Sequence, residues 1–313
     1  MDLLKISEEN TPKKEVKYPF YFKFLSLLSV VRGYNIAVIV LGQYLAAIFI
    51  FSPETSLKST LLNVELYIIV LASICVVAAG YIINNFYDVE RDIINKPIKT
   101  KIDGIVSQKT KLTIYFLLNF TGTFLALFVS WRAALFFAVY IFLIWLYSHK
   151  LKQYPLLKLF SAAVLRLLPF FVIFVYYRNF STIIFTHATF LFFILLTREL
   201  MKDLENLKGD IASGFVTLPI KYSEYFTKLL IGLATIFVLP PIYFLVNYPE
   251  IGLMKYYFYL SIIVLLLVNV FLWRANSKKD YLVLQTILKI LMILGVVSLL
   301  FIDTSVIIDR LIK

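Results

Sequence analysis

The sequence predicts an all-α integral membrane protein of about nine transmembrane helices. Three observations lead there. Of 313 residues, 61% are hydrophobic and 16% charged, and the mean hydropathy is +0.85. A soluble domain of that length would have too little polar surface to cover its core. The apolar residues also fall into nine runs, most of them near the roughly 20 residues that cross a hydrocarbon layer. Finally, Lys and Arg concentrate in alternate connections between those runs.

Taken in order, Met1–Lys23 is polar, mixed in charge and unlike a cleavable signal peptide. The first run, Asn35–Phe51, is therefore expected to act as its own insertion signal. Leu66–Ile83 follows and contains Cys75, the single cysteine. One thiol forms neither a disulfide framework nor a thiolate metal site, so a small core residue is expected there. Leu112–Trp131 is third. Ala133–Tyr147, fourth, and Ile183–Thr197, sixth, have 15 residues each and need flanking residues to span. Leu156–Tyr177, fifth, contains Arg166, and Tyr281–Ile302, ninth, contains Lys289. Such cations must face protein, water or headgroups. Leu229–Val246 and Tyr256–Trp273 are seventh and eighth. No polar linker divides the chain, so a single membrane domain over 34–302 is expected, after a cytoplasmic segment 1–33 and before a tail 303–313 on the opposite face.

Nine spans place the amino terminus and the even-numbered connections on one side. That side carries 22 Lys and Arg; the other carries six, Lys58, Arg132, Arg178, Lys255, Arg310 and Lys313. The bias assigns the first set to the cytoplasm. The net charge of +12 belongs mainly to this face, where it favours anionic lipid or an anionic substrate. The basic residues are spread over loops between spans, with no basic stripe on a soluble domain, which argues against nucleic acid as a partner.

Two polar clusters follow apolar runs on the cytoplasmic side. The first is Asn84-Asn85-Phe86-Tyr87-Asp88-Val89-Glu90-Arg91-Asp92, and the second runs from Arg198-Glu199 through Lys202-Asp203, Glu205-Asn206 and Gly209-Asp210. If each helix continues into its cluster, Asn84, Asn85, Asp88 and Asp92 project toward one region, as do Glu199, Asp203, Asn206 and Asp210. Carboxylates crowded in this way repel unless cations sit among them. Two such groups facing each other would hold divalent metal ions and, through them, a phosphorylated substrate. Each opens a basic connection, 84–111 or 198–228, placed as in a weak duplication, and the two connections would cap one end of a bundle.

These residues resemble the intramembrane prenyltransferases of the UbiA superfamily. The first family signature, NDxxDxxxD, corresponds to Asn84, Asn85, Asp88 and Asp92. The second, DxxxD-like, corresponds to Glu199 through Asp203, continuing to Asn206 and Asp210. Asp92–Pro97, Tyr147–Lys152 and Arg198–Asp203 look most like the digeranylgeranylglyceryl phosphate synthase type. Asn85 replaces the usual Asp, Glu199 replaces an Asp, and Asn206 stands where relatives often have Asp. Lys99–Gly104 replaces a segment resembling Arg-Pro-Ile-Pro-Ser-Gly and lacks both prolines. Each lost carboxylate lowers the charge of a metal site, although an amide oxygen can still ligate or position water.

The resemblance implies nine transmembrane helices around a central cavity with cytoplasmic caps. It also implies Mg²⁺ as cofactor, a polyprenyl diphosphate donor with geranylgeranyl favoured, and a lipid-soluble acceptor, favourably geranylgeranylglyceryl phosphate. Asp88, Asp92, Asp203 and Asp210 become the expected catalytic metal ligands, joined by Glu199 and Asn206. Asn84, Asn85, Lys96, Lys99, Tyr147, Lys152, Arg198 and Lys202 become the expected substrate-binding residues. Arg166 is a candidate partner for the acidic clusters. Tyr81, Phe86, Tyr87 and Tyr147 are the aromatics nearest them, suited to shielding an allylic cation. His149 and His187 are too scattered to be read as ligands. An aromatic quinone precursor or haem is the alternative acceptor; a transporter and a non-catalytic scaffold are the alternatives of other classes.

Overall fold

The computed structural model describes residues 18–51 and 55–302, all helical or in connections. Residues 1–17 of the amino-terminal segment and the tail 303–313 lie outside the described residues. Among the described residues, nine helices are long and apolar enough to cross a membrane.

The short helix α1 (Phe20–Val30) precedes α2 (Gly33–Ala46), which closes in a π turn at Ala47–Phe51 to make the first span. After α3 (Leu57–Leu61), Asn63 caps α4 (Val64–Tyr87), its side-chain oxygen accepting from the Leu66 amide at 3.0 Å. Two short helices follow, α5 (Val89–Asn95) and α6 (Pro97–Asp103), the second started by a proline at its first position. Ser107 caps α7 (Gln108–Val129), and Ser130 both ends it and caps α8 (Trp131–His149). Pro155 starts α9 (Pro155–Tyr177), and α10 (Thr182–Glu205) follows. The two 15-residue runs thus lengthen to spans of 23 residues, Trp131–Gln153, and 24, Thr182–Glu205, because their polar flanks stay helical. Next come α11 (Leu207–Ala212) and α12 (Leu218–Lys221). The seventh span is built from α13 (Glu224–Ile236) and α14 (Leu239–Val246), separated just before Pro240 and Pro241. The last two spans are α15 (Lys255–Arg274), with a 3₁₀ lead-in from Pro249, and α16 (Lys278–Ser298), begun by a Ser277–Asp280 capping box.

Apolar area alone cannot hold such helices together in lipid, whose tails are as apolar as leucine; close backbone approach and interhelical hydrogen bonds do. At the α4–α7 contact, Ala72, Ala79 and Ala126 are fully buried. A Cβ on Gly122 would lie 2.8 Å from the Val76 side chain and 3.2 Å from the Ala72 carbonyl, so only glycine allows this approach. Pro169 inside α9 lacks the amide that would bond Leu165, and the Tyr140 hydroxyl donates to that carbonyl instead at 3.1 Å. Gln43 donates to the Pro169 carbonyl at 2.7 Å and to Ser73 at 2.9 Å. The proline bend is therefore tied to α2, α4 and α8, all of which border one interior cavity.

Candidate active site

The polar clusters continue their helices only in part. Helix α4 ends at Tyr87 and Asp88 is a joint (φ −96°, ψ 5°) before α5; α10 ends at Glu205 and Asn206 is a joint of the same shape (φ −94°, ψ 4°) before α11. The single shared face expected for Asn84, Asn85, Asp88 and Asp92 is therefore broken after its first turn. Asn84 donates to Asp88 Oδ2 at 2.9 Å. Asn85 turns away to Asp103, and Asp92 pairs with Lys96 at 3.4 Å.

The joints bring the two clusters into direct contact. Arg91 on α5 grips Asp210 on α11 with both ends of its fork, Nε to Oδ1 at 2.5 Å and Nη2 to Oδ2 at 2.8 Å. Asn95 adds a third donor to Asp210 at 3.3 Å. The approach needs Gly209, where a Cβ would sit 2.2 Å from Asn95 Oδ1. Asp210 is fully buried with both oxygens engaged, tying the two clusters together.

The other carboxylates also have basic partners. Lys152 donates to Asp88 Oδ1 at 2.8 Å, Lys158 donates to Asp203, and Arg166 donates to Glu199, whose second oxygen lies 3.9 Å from Lys202. Burial pushes the Asp88 carboxyl up, but the charges of Lys152, Arg91 and Lys202 outweigh that and bring it down to about 2. Burial opposes the charge of Arg91, yet its bonds to Asp210 hold its pKa above the ordinary arginine range. Among the described residues, no three acidic, His or Cys side chains gather as a metal cluster, and basic residues are bonded to the carboxylates. The donor set nonetheless suits a hard dication. Every candidate is an oxygen. Asn206 Oδ1 is buried without a donor, while Asp92 and Asp203 each give just one oxygen to a lysine.

Beside this layer lies a cavity of about 360 Å³. Residues His187, Leu191, Ile194, Arg198 and Lys202 of α10 line it at helical spacing, a stripe about 22 Å long at 1.5 Å per residue. Apolar side chains such as Phe170, Phe190 and Met254 make up most of its wall. Of the expected substrate residues, Asn84, Tyr147, Arg198 and Lys202 line it; Tyr81 does too, whereas Asn85, Lys96, Lys99, Lys152, Phe86 and Tyr87 do not. Lys152 instead spans from Asp88 to the face of Tyr147, 5.4 Å from the ring centre. Tyr87 bonds His149 at 3.1 Å.

Sequence reasoning missed Lys158, Arg32 and Asn35, together with the roles of Arg91, Asn95 and Asp103. Lys158 and Arg166, two turns apart on α9, share a face, and that was a legible signal. The cavity has a cationic but no acidic lining among the described residues: Arg32, Arg166, Arg198, Lys202 and Lys289. Arg166 and Lys202 lie against Glu199. Among the described residues no carboxylate pairs with Arg32, Arg198 or Lys289; Arg32 and Lys289 lie over the rings of Tyr81 and Tyr34 at 5.3 and 3.8 Å, and Arg198 Nε is a buried donor without an acceptor.

A family model described as the UbiA prenyltransferase family matches residues 28–301. The digeranylgeranylglyceryl phosphate synthase of Methanobrevibacter smithii is 27% identical over 204 residues, 62% of this chain and 68% of the relative. That of Pyrococcus furiosus is 34% identical over 149 residues, 47% of this chain and 53% of the relative. A solved structure of a UbiA homolog from Archaeoglobus fulgidus, bound to DMAPP and Mg²⁺, superposes with a TM-score of 0.66 at 15% identity, covering 90% of this chain and 99% of the other. A digeranylgeranylglyceryl phosphate synthase structure also gives 0.66, at 23% identity over 90% and 99% of the two chains. These two likenesses establish a shared fold.

Proposed function

The chain belongs to the UbiA prenyltransferase family, and from that premise we propose that it transfers a geranylgeranyl group from the diphosphate to a lipid-soluble acceptor bearing an anionic head, geranylgeranylglyceryl phosphate being favoured. One observation carries the reading: two acidic clusters from distant parts of the chain, cross-tied by Arg91 and Asp210, sit beside an apolar cavity edged with cations. The Mg²⁺-bound relative supports the cofactor, and the named relatives support the acceptor class. The excess of Lys and Arg on one side supports a cytoplasmic setting for the clusters, which would cap the cavity from that side.

Asp88, Asp92, Asp203 and Asn206 would hold Mg²⁺, with Asn84 fixing Asp88 and Asp210 bracing the pair of joints. Bound there, the metal supplies Lewis-acid stabilisation of the departing diphosphate. Lys152 and Lys158, each bonded to one of these carboxylates, would add positive charge beside the leaving group. Lys202, on the cavity wall one residue before Asp203, is placed to meet a diphosphate oxygen. The apolar wall takes the isoprenoid chain and keeps water from the allylic carbon. Tyr81 and Tyr147, on the cavity wall, are the aromatics available to shield an allylic cation. Arg32, Arg198 and Lys289, without a carboxylate partner among the described residues, favour an acceptor that brings its own negative charge.

The test uses purified protein in lipid with labelled geranylgeranyl diphosphate, a panel of acceptors, and Mg²⁺ present or chelated. Mg²⁺-dependent diphosphate release with a prenylated glycerophosphate, abolished in Asp88→Ala and Asp203→Ala, is the expected result. Prenylation of aromatic acceptors alone would sink the glycerophosphate assignment. Diphosphate left intact with every acceptor by folded protein would sink the reaction itself.

A further inference from the structure

Helix α1 is built inside out. A helix that packs on a protein surface in water turns its apolar stripe inward and its polar side chains to solvent. In α1 the hydroxyls turn inward. Ser26 is fully buried and donates to the Ile102 carbonyl of α6 at 2.8 Å, and Ser29 donates to Asp103 Oδ1 at 2.7 Å. Phe20, Tyr21, Phe24, Leu25 and Leu28 are exposed, Phe20 at 82%, and their spacing places them on the side away from both serines. Helix α6 repeats the inversion: Asp103 is buried, while Ile98, 77% exposed, and Ile102, one turn on, share its outer face. Because α1 lies against α6, the two outer faces adjoin, and an apolar surface of this kind marks a binding face.

The path of the chain names what covers it. Only Val31 and Arg32 separate α1 from the first span, Gly33–Phe51, so α1 stays at the membrane surface. Its 11 residues reach about 16 Å, roughly half the thickness of the hydrocarbon layer, so α1 cannot cross it. Arg32 has a left-handed backbone (φ 52°), which breaks the helix there and keeps α1 from extending the span. At the edges of the two apolar faces stand Lys23 and Lys101, both exposed, where long stems can lie along apolar surface with the charge held at headgroup level.

We propose that α1 and α6 form one interfacial plate, seated by its aromatic and isoleucine side chains in the leaflet on the side of the acidic clusters, with Lys23 and Lys101 meeting anionic phospholipid headgroups. The plate is joined to the candidate site. Helix α6 follows α5 directly after Lys96, and α5 carries Arg91, which holds Asp210. Arg32, at the end of α1, lines the cavity. Immersion of the plate therefore sets the height of the first cluster against the bilayer, and a lipid acceptor in that leaflet meets the cavity edge without leaving the membrane. This last consequence rests on the proposed reaction; the plate itself does not.

The test reads the plate without any turnover. In the full chain Trp131, Trp145 and Trp273 are replaced by Phe, and one Trp is introduced by Ile98→Trp or, in a second protein, by Phe24→Trp. Each is placed in phosphatidylcholine nanodiscs, and helix content confirms folding; either position decides the outcome. A lipid brominated along its acyl chains should remove roughly half of the emission, and aqueous acrylamide should remove little. Quenching by acrylamide and none by the brominated lipid puts the face in water and overturns the proposal. Shielding from both means that protein covers it, residues 1–17 or a second copy of the chain, and overturns it as well. Brominated phosphatidylglycerol, present as a minor lipid, should quench more than brominated phosphatidylcholine at the same fraction, by a local enrichment of about fivefold for each lysine. Lys23→Gln with Lys101→Gln should remove that difference. Equal quenching by the two lipids in the protein with both lysines overturns the headgroup assignment.

Discussion

Replacing Arg91 by Met tests the cross-tie between the clusters. Asp210 has no exposed surface, and its remaining donor would be Asn95 at 3.3 Å. Removing one partner of a buried ion pair strands the other charge at a cost of about 3–5 kcal/mol. A tenfold change in an equilibrium takes about 1.4 kcal/mol, so the folded population ratio should fall by roughly two to three and a half orders of magnitude. Removing both charges, in Arg91→Met with Asp210→Leu, should recover most of that loss, because a packed apolar pair often replaces a buried ion pair at little cost. The assay is reversible unfolding in mixed micelles, followed by helix content. The same variants report on the role of Asp210. If it is a brace, the double variant keeps a near-normal Mg²⁺ requirement; if it ligates the metal, stability returns and the Mg²⁺ requirement does not. A loss below about 1 kcal/mol in Arg91→Met, as expected of a surface pair, would refute the reasoning.

Two further outcomes are expected. The Asp88 carboxyl is depressed from 3.8 to about 2, so its stabilising effect is fully present above about pH 4 and is lost as pH falls toward 2; an acid titration of metal-free protein should show this component, and Asp88→Asn should lack it. Arg198→Met and Lys289→Met should raise the KM for an anionic acceptor about tenfold or more, given the 1.5–3 kcal/mol typical of a charged hydrogen bond, with the donor KM nearly unchanged in steady-state assays; equal changes in both would contradict an acceptor-side location.

The sequence made the class and the spans legible because hydropathy records the solvent of each segment directly. Spans four and six were shortened since polar residues inside protein, such as Arg198, Glu199 and Lys202, read as helix ends although α10 continues through them to Glu205. The acidic residues were found, but their geometry was not. A four-residue spacing says which side chains share a face only while the helix lasts, and the joints at Asp88 and Asn206 end it. Nothing in residue type marks those joints, whose shape is set by tertiary contacts such as Arg91 with Asp210. The partners were hidden for a related reason: a lysine at a span end reads as an orientation charge whether it meets water, as Lys109 does, or a buried carboxylate, as Lys158 does.

The duplicated appearance of the two clusters has a structural counterpart, and the differences between the halves matter for chemistry. Helices α4 and α10 each have 24 residues, and each ends in a joint of nearly identical backbone angles followed by a short helix. At the equivalent joint residue the first half has a carboxylate, Asp88, held by Lys152, and the second has a neutral amide, Asn206, whose oxygen has no donor. Charge at the second joint comes from one turn earlier, Asp203, and is partly offset by Lys158. In the proposed site the first half would supply anionic ligands close to the joint, and the second half would mix one carboxylate with an amide. An amide ligand binds a dication less tightly than a carboxylate and repels phosphate oxygens less. Asn206→Asp should therefore lower the Mg²⁺ concentration needed for half-maximal diphosphate release; an unchanged requirement would place Asn206 outside the coordination shell.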